Sequence, residues 1–358
     1  MARAIPLNYP SRRRALSHDR PNRLYHFNLV SLFSQTNDWF DMADVRVAEV
    51  LLRPETAALR FLPEGPYPTT RSGELSWVGI QHGTESRIGS INLLNLVTKK
   101  NQTFDLPGRP GFAFACDDGF SFVVGCERSL GRFVPQTGSW DPFCESVDVD
   151  VENTIINDGM VWGDNLVFGT KDLEFKTKKA GLYLWRGTDK KLIRLRDDQI
   201  CSNGKAIRET TDGLELIDID SPTRQIAAYA LNIADGTLGK RRVLIDLTND
   251  PAVPDGAMLT PCGEGIIVSM FHPGNATDGE ARHYDLATGK LVTTWVTPGS
   301  PQNTCPMLIG INGRVTLVMT TAVEHMDPAR QQSCPNAGCL FVGETDFDRV
   351  TPTPTFPA

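Results

Sequence analysis

Six glycines recur along this chain at intervals of 44 to 50 residues, and each precedes a short strand-like run. The run after Gly163, for example, reads Asp-Asn-Leu-Val-Phe-Gly-Thr. A turn residue followed by a β-branched or aromatic run, repeated every 40 to 50 residues or so, is typical of propeller blades. The repeat therefore predicts an all-β fold, a six-bladed β-propeller. The six glycines are Gly73, Gly119, Gly163, Gly213, Gly263 and Gly313.

Four polar side chains share a position relative to these glycines. Glu64 lies nine residues before Gly73, Asn157 six before Gly163, Asn203 ten before Gly213 and Asp255 eight before Gly263. In a propeller, the strand that enters such a turn is an inner one, and its start faces one mouth of the central channel. We therefore expect these four side chains to converge at one end of the channel.

Three of the four side chains could bind a metal ion. Glu64, Asn203 and Asp255 offer two carboxylates and an amide oxygen, which suit a hard divalent cation such as Ca²⁺, Mg²⁺ or Mn²⁺. Histidine is absent from this register, so Zn²⁺ is less favoured, although carboxylate-rich sites can accept it. Three protein ligands leave coordination positions open, as a catalytic metal requires. The sequence thus predicts a metal site in the central channel, with Ca²⁺ as the favoured ion.

Each of these residues also has a purely structural interpretation. Glu-Gly-Pro, Asn-Asp-Gly, Asn-Gly and Pro-Asp-Gly are ordinary turn sequences, because Gly, Asn and Asp tolerate positive φ and Pro presets the first turn position. The shared register across four blades is what favours a functional interpretation.

Charge is distributed unevenly along the chain. The formal net charge is −7, but residues 1–41 carry six arginines against three aspartates and are basic. The acidic remainder argues against a nucleic-acid partner, which needs a basic surface. The absence of a run of 18 or more apolar residues argues against a membrane span.

Composition divides the chain into three segments. The composition of residues 1–41 predicts a disordered basic extension, with an import signal or an over-long gene model as alternatives. This segment lacks the apolar region of a secretory signal peptide, so we expect a cytoplasmic protein. Residues 42–350 hold the propeller, in which Ala48 to Phe61 is expected to supply the strand that closes the ring. Residues 351–358 form a Pro- and Thr-rich tail that we expect to be frayed.

The eight cysteines lack any Cys-x-x-Cys pair, so zinc-finger and thioredoxin types are not indicated. We expect buried thiols, with a local disulfide between Cys334 and Cys339 as an alternative. No Gly-x-Ser-x-Gly elbow or histidine triad is present. His82 and His272 follow strands, where they are either exposed in loops or near the channel mouth. The charged run Lys171–Lys179 predicts a solvated loop, or else a lid that steers an anionic substrate.

An ordered set of motifs resembles one known family. The motifs are Leu62-Pro-Glu-Gly-Pro, Ile156-Asn-Asp-Gly, Gly169-Thr, Gly181-Leu-Tyr, Ile200-Cys-Ser-Asn-Gly, Asp220-Ser, Val253-Pro-Asp-Gly and Thr304-Cys. They are similar, over residues 48 to 345 or so, to the senescence marker protein/gluconolactonase/luciferin-regenerating-enzyme family. The resemblance implies a six-bladed propeller that binds one divalent cation in its channel and hydrolyses sugar lactones.

The resemblance also implies roles for single residues. Glu64, Asn203 and Asp255 match the family's metal ligands, and Asn157 matches the asparagine that contacts substrate beside the metal. Two positions depart from the family pattern. Ile155 stands where related lactonases place a substrate-binding arginine, and Pro68 stands where a tryptophan is common. Position 155 is expected to face substrate, and isoleucine in place of arginine there implies a less polar or differently placed substrate.

The leading hypothesis is a metal-dependent lactonase acting on a small-molecule cyclic ester. The metal would polarise the ester carbonyl, and water activated by the metal or by Asp255 would attack it, with Asn157 placing the substrate. A second-shell carboxylate is an alternative base, because a cation depresses the pKa of a carboxylate that binds it. The alternative functions are a non-catalytic calcium-binding or interaction propeller and a strictosidine-synthase or paraoxonase type of enzyme. The oligomeric state stays open.

Overall fold

Five of the six repeat glycines lie in the turn between the first two strands of separate sheets, and Gly213 follows such a turn as the first residue of its second strand. Their φ angles range from 60° to 116°, a region that residues with a Cβ adopt only with strain. The glycine repeat is therefore the repeat of a structural unit. The structure, a computed structural model, describes residues 43–352 and 354–358. The predicted N-terminal extension, with its alternative as an import signal, lies outside the described residues.

The described residues contain 26 strands, arranged in six sheets. The first two strands are β1 (Asp44–Val47) and β2 (Glu49–Leu52). Blade 1 holds β3 (Pro63–Pro68), β4 (Glu74–Gly79), β5 (Ser90–Asn95) and β6 (Asn101–Asp105); blade 2 holds β7 (Pro110–Ala115), β8 (Phe122–Cys126), β9 (Ser129–Val134) and β10 (Ser139–Cys144); blade 3 holds β11 (Thr154–Trp162), β12 (Asn165–Asp172), β13 (Ala180–Arg186) and β14 (Lys191–Gln199).

The remaining three blades follow the same order along the chain. Blade 4 holds β15 (Ser202–Thr210), β16 (Gly213–Asp220), β17 (Gln225–Asn232), β18 (Thr237–Leu238) and β19 (Arg242–Asp246); blade 5 holds β20 (Val253–Leu259), β21 (Gly265–Phe271), β22 (Gly279–Asp285) and β23 (Leu291–Thr297); blade 6 holds β24 (Asn303–Ile311), β25 (Arg314–Thr321) and β26 (Leu340–Glu344). Short 3₁₀ turns cover Ala58–Arg60 and Ser221–Thr223, and helix α1 covers Pro328–Ser333.

The first strands of the blades form a closed ring around a central channel. Each contacts the first strand of the next blade, in the order β3, β7, β11, β15, β20 and β24, and β24 returns to β3. This closure confirms the predicted six-bladed propeller. Second strands such as β8 and β12 are buried along their whole length, whereas the outermost strand β6 is half-buried or exposed throughout.

Two strands from the N-terminal part of the chain complete the last two blades. Strand β2 pairs antiparallel with β26 of blade 6, which confirms that the segment after Ala48 closes the ring. Strand β1 adds a parallel edge strand to β23 of blade 5, which the sequence did not predict. Every other strand pairing between named strands is antiparallel in the described part of the chain.

The apolar core lies between neighbouring blades. Between blades 2 and 3, the ring centroids of Phe112 and Phe168 are 6.0 Å apart, and those of Phe168 and Tyr183 are 5.5 Å apart. All three rings are buried. Stacked or tilted aromatic pairs at such distances add to the stabilisation from apolar burial. They fix the angle between blades, and hence the shape of the channel.

A bulge interrupts the pairing of every first strand with its neighbour. Such a bulge places extra residues on one strand and turns a side chain out of the regular alternation. The pairing shifts between Glu64 and Tyr67, Pro110 and Phe112, Ile156 and Gly159, Asn203 and Lys205, Pro254 and Ala257, and Asn303 and Pro306. Each of the four polar residues predicted to converge therefore borders or lies within a bulge.

The cysteines form no disulfide bonds. All eight cysteines are free thiols, seven of them buried, so the alternative disulfide between Cys334 and Cys339 is not formed.

The prediction of a frayed tail is wrong, because Phe356 forms a bridge with Cys116 and its backbone N–H donates to the Ala115 oxygen at 3.1 Å. Among the residues that the structure describes, no helix has the length and apolar character to cross a membrane.

Candidate functional site

A cavity of about 490 Å³ opens where several of the inner strands begin. The four polar residues that the sequence predicted to converge all line it. The other polar lining residues are Lys171, Cys201, Ser221, Arg224, Glu324 and His325, and the apolar ones are Leu62, Ile80, Phe175, Pro222, Val253, Phe271 and Pro273. The cavity thus joins a polar centre to a mainly apolar wall.

An amide network connects three of the lining residues. Asn157 Nδ2 donates to Asn203 Oδ1 at 2.6 Å and to the Ser202 backbone oxygen at 2.9 Å. Asn203 Nδ2 in turn donates to Ser221 Oγ at 2.8 Å, and Ser221 Oγ donates to the Pro254 oxygen at 2.6 Å. This chain links blades 3, 4 and 5, and it fixes which way the Asn203 amide faces.

The two carboxylates of the site are desolvated. Burial, with a smaller contribution from Asp255, raises the pKa of Glu64 well above its usual range. Burial also raises the pKa of Asp255 well above its usual range, with a smaller contribution from Asp158. Two buried carboxylates with raised pKa values are costly to ionise, and a bound cation offsets this cost.

The donor set fits a hard divalent cation. Glu64 and Asp255 supply carboxylate oxygens, and Asn203 Oδ1 has a second lone pair beyond the one that accepts from Asn157. In the described part of the chain, no three His, Cys, Asp or Glu side chains lie close enough to hold a metal ion. The candidate site therefore depends on an amide oxygen beside its two carboxylates.

Ile155 does not line the cavity. It is 1% exposed and lies in β11, where it pairs directly with Lys171 of β12. Pro68, the second departure from the family pattern, ends β3 and is likewise absent from the described lining. Lys171, which is 4% exposed, does line the cavity. A positive charge thus stands on the strand opposite the position where the sequence lacks an arginine.

The charged run Lys171–Lys179 is a solvated loop only in part: residues 174–178 are exposed, and its role as a lid stays a prediction. Its first two residues belong to β12 and are buried. The Asp172 carboxylate accepts three backbone N–H bonds from the following loop, including that of Thr177 at 2.9 Å, and pairs with Lys179 Nζ at 3.1 Å. This anchored loop places Phe175 on the cavity wall with a φ of 53°.

Several lining residues were missed by the sequence analysis. Ser221 was part of a family motif, but its bond to Asn203 joins residues 18 positions apart and has no local signal. Glu324 and His325 follow β25 and reach the cavity. His82 is half-buried and His272 is buried, and neither is part of the described lining.

The thiol of Cys201 is not a nucleophile. It lies beside both amides, 3.5 Å from Asn203 Nδ2 and 3.8 Å from Asn157 Nδ2. Burial raises the pKa of Cys201 far above its ordinary value, so the thiol stays protonated at neutral pH. Chemistry at this site therefore depends on oxygen and nitrogen groups.

Relatives and solved structures share this fold. An uncharacterized protein of Sulfolobus acidocaldarius is 33% identical over 159 residues, covering 44% of this chain and 54% of that protein. Regucalcin of Danio rerio is 27% identical over 232 residues, covering 61% of this chain and 75% of regucalcin. The chain thus spans about half the length of the first relative and three quarters of the second.

Among solved structures, the calcium-binding protein regucalcin of Agrobacterium tumefaciens aligns with a TM-score of 0.70 at 22% identity, covering 88% of this chain and 98% of that chain. Luciferin-regenerating enzyme aligns with a TM-score of 0.70 at 20% identity, covering 83% and 95%. At these identities, the likeness shows the fold alone. Residues 62–323 match the SMP-30/Gluconolactonase/LRE-like region, and the chain belongs to this family.

Proposed function

We propose that this protein is a divalent-metal-dependent lactonase that hydrolyses a small cyclic ester. The observation that carries the proposal is the convergence of Glu64, Asn203 and Asp255 with Asn157 in one cavity. Membership of a family whose description includes gluconolactonase supports the reaction class. Ca²⁺ is the favoured cation, since regucalcin relatives include a calcium-binding protein; Mg²⁺, Mn²⁺ and Zn²⁺ are alternatives.

Glu64, Asn203 and Asp255 would hold the cation, and Ser221 would keep the Asn203 oxygen aimed at it. A bound divalent cation supplies Lewis-acid polarisation of the lactone carbonyl and compensates the charge of the oxyanion. The Nδ2 of Asn157 donates to groups within the protein. Its Oδ1 makes no hydrogen bond to the described residues, so it can accept one from a substrate hydroxyl.

Hydrolysis also requires a base. A water oxygen attacks the carbonyl carbon and gives a proton to a carboxylate; the ring C–O bond then breaks, and the leaving alkoxide takes a proton to give the hydroxy acid. Asp255 is the proposed base and would accept this proton on a carboxylate oxygen. Glu324 is the alternative, because its side chain is 12% exposed on the same cavity and is not in the proposed ligand set.

The test is lactone hydrolysis by the full chain with and without EDTA, across sugar, aliphatic and aromatic lactones. We expect EDTA to abolish turnover and Ca²⁺ to restore it. Asp255→Ala and Asn157→Ala should each lower kcat/KM on the order of 100-fold or more. Asp246→Ala, an exposed carboxylate in β19, is the matched control. Turnover that ignores EDTA, or no turnover with any lactone class, would reject the proposal.

A second candidate function is supported by the position of Ile155. Without an arginine at position 155, the protein could keep its cation only for stability or partner binding. This function predicts a melting temperature that rises with Ca²⁺, because a ligand bound only by the native state stabilises it, together with no lactone turnover. The family match does not favour the strictosidine-synthase or paraoxonase alternative.

A further inference from the structure

Lys171 is a buried residue of the cavity wall whose ammonium has no direct hydrogen-bond or ion-pair partner among the described residues. Its side chain lines the cavity and the residue is 4% exposed. Within residues 43–352 and 354–358, its Nζ makes no hydrogen bond and no ion pair within 4.0 Å. Its Nζ forms a cation–π contact with the Phe175 ring, whose centroid lies 5.8 Å away. Lysine is almost never buried in proteins without a partner.

Glu64 and Asp255 interact electrostatically with Lys171, but neither forms an ion pair with it within 4.0 Å in the described part of the chain. Glu64 and Asp255 are the proposed ligands of a divalent cation, and their two negative charges are balanced when it is bound. Glu324 lines the same cavity; its Oε2 lies 3.8 Å from His325 Nε2, and it forms no ion pair with Lys171 within 4.0 Å among the described residues. With the metal bound, Lys171 is therefore a positive charge without a direct ion pair, in a cavity with a largely apolar wall, which favours binding of an anion.

The nature of the anion follows from the number of donors. Arg224 is the other cationic side chain of the lining, and its Nη1 already donates to the backbone oxygens of Asp250 and Ala252. A single ammonium without a direct ion pair matches one negative charge. A phosphate dianion would need further donors, so a carboxylate fits this cavity better.

We propose that Lys171 binds a carboxylate on the substrate, so that the preferred substrates are lactones that carry a carboxylate group. This inference rests on the proposed lactonase function for the identity of the ring, but the assignment of a carboxylate subsite to Lys171 can be tested without turnover. Lys171 takes its position directly opposite Ile155 in the β11–β12 pair. The positive charge of this pair therefore comes from β12 and not from β11.

Binding is measured first with two cyclic ethers that cannot hydrolyse, tetrahydrofuran-2-carboxylate and tetrahydrofurfuryl alcohol. The calcium-loaded full chain is titrated by ligand-observed NMR. We expect the carboxylate to bind at least about 10-fold more tightly than the alcohol, as a charged hydrogen bond predicts. Lys171→Met should remove this preference, and Lys171→Arg should retain most of it. Lys176→Met, on the same loop with a side chain 75% exposed, is the matched control.

Two outcomes overturn the assignment. If the wild type shows no preference for the carboxylate, or does not bind it, the subsite does not exist. If Lys171→Met keeps the preference, the carboxylate is bound by the cation and not by Lys171. Melting temperatures with and without Ca²⁺ establish that each variant is folded and loaded, so a loss of binding is not confused with unfolding.

Turnover is measured second, with the γ-lactone of gluconate and the corresponding γ-lactone of glucarate, in which a carboxylate replaces the terminal hydroxymethyl group. We expect the wild type to prefer the glucarate lactone. Lys171→Met should lower the ratio of the two kcat/KM values by about 10- to 100-fold. If neither lactone is hydrolysed but Lys171-dependent carboxylate binding persists, the lactonase proposal fails and the subsite stands. If both are hydrolysed with an unchanged ratio, the subsite fails and the lactonase stands.

Discussion

Asn203 is oriented by its neighbours in the adjacent blades. Its Oδ1 accepts from Asn157, and its Nδ2 donates to Ser221, which is itself held by the Pro254 oxygen next to Asp255. An amide can bind a cation only through its oxygen, so the donor to Ser221 determines that the oxygen faces the cavity. Ser221 is therefore a positioning residue for the proposed metal site.

Replacement of Ser221 tests this role. Ser221→Ala should weaken Ca²⁺ binding by about 10-fold or more, because outer-shell partners of metal ligands have effects of this size. Isothermal titration calorimetry of the full chain provides the measurement. Ser269→Ala is the matched control, since the buried Ser269 Oγ has no hydrogen-bond partner among the described residues. Equal Ca²⁺ affinities in wild type and Ser221→Ala would contradict the role.

The sequence predicted the four convergent residues but missed Ser221, Lys171 and Glu324. The predicted residues lie six to ten positions before a repeat glycine, so the local sequence pattern is enough to identify them. Ser221 acts through a hydrogen bond to Asn203 on another strand. Lys171 belongs to the charged run Lys171–Lys179, and the sequence of this run does not show that Lys171 is buried at the end of β12.

At the scale of the strand, the bulges explain why the spacings from the glycines differ. The four residues lie nine, six, ten and eight positions before their glycines, because first strands and turns vary in length. Their common feature is the pairing shift near the start of each first strand. The bulge glycines also allow close packing of the ring: a Cβ on Gly204 would lie 2.6 Å from the Asp255 oxygen.

Gly204→Ala should therefore disturb both the ring and the site. The new methyl group meets a backbone atom of the proposed ligand Asp255, and that atom cannot move aside cheaply. We expect a loss of roughly 1–3 kcal/mol in the free energy of unfolding and weaker Ca²⁺ binding. Gly310→Ala, in the first strand of blade 6 with no atom within 4 Å of its Cβ position, is the matched control. Denaturant unfolding would measure the first effect and calorimetry the second. A Gly204→Ala variant with the stability and Ca²⁺ affinity of the wild type would contradict this account.

Strand β22 carries a pH-dependent contribution to stability. His272, whose Nε2 lies 3.8 Å from Glu280 Oε1, and Arg282, whose Nε lies 2.5 Å from Oε2, lower the pKa of Glu280 from 4.5 to about 2. A depressed carboxylate pKa stabilises the fold above the unfolded pKa, and this stabilisation is lost as the pH falls through the folded pKa.

Glu280→Gln should therefore destabilise the protein at pH 6, and the difference from wild type should shrink as the pH falls below 4.5 toward 2. Thermal unfolding across this range measures it. Glu85→Gln, at an exposed position, should differ little from wild type throughout. A difference between Glu280→Gln and wild type that stays constant down to pH 2 would refute the linkage.

At the scale of the whole molecule, segments distant in sequence complete the propeller. The closing role of the segment after Ala48 was predictable because ring closure by a terminal strand is common in propellers. The parallel pairing of β1 and the ordered tail were not predictable, because they join residues far apart in the chain without a local pattern. Phe356 and Cys116, for example, are joined by a bridge across 240 residues.

The tail covers a second cavity. This cavity, of about 500 Å³, is lined by the later parts of the first strands, including Tyr67, Val161 and Met258, and by Thr351, Pro352 and Pro354. The candidate metal site is lined by the early parts of the same strands, so the two cavities occupy opposite ends of the channel. Asp158, which lines the second cavity, contributes to the raised pKa of both Glu64 and Asp255, so the two ends are coupled electrostatically.

Deletion of residues 351–358 should lower stability with little effect on Ca²⁺ affinity. The deletion exposes apolar surface around Met258 and removes the Phe356 ring, which stacks on Phe143 with centroids 6.4 Å apart. We expect a loss of roughly 1–3 kcal/mol in unfolding free energy, measured by denaturant titration. Phe356→Ala should reproduce part of this loss, because it keeps the chain over the cavity but removes the stacked ring. A truncated protein that binds Ca²⁺ 10-fold more weakly would show instead that the tail supports the metal site through the channel.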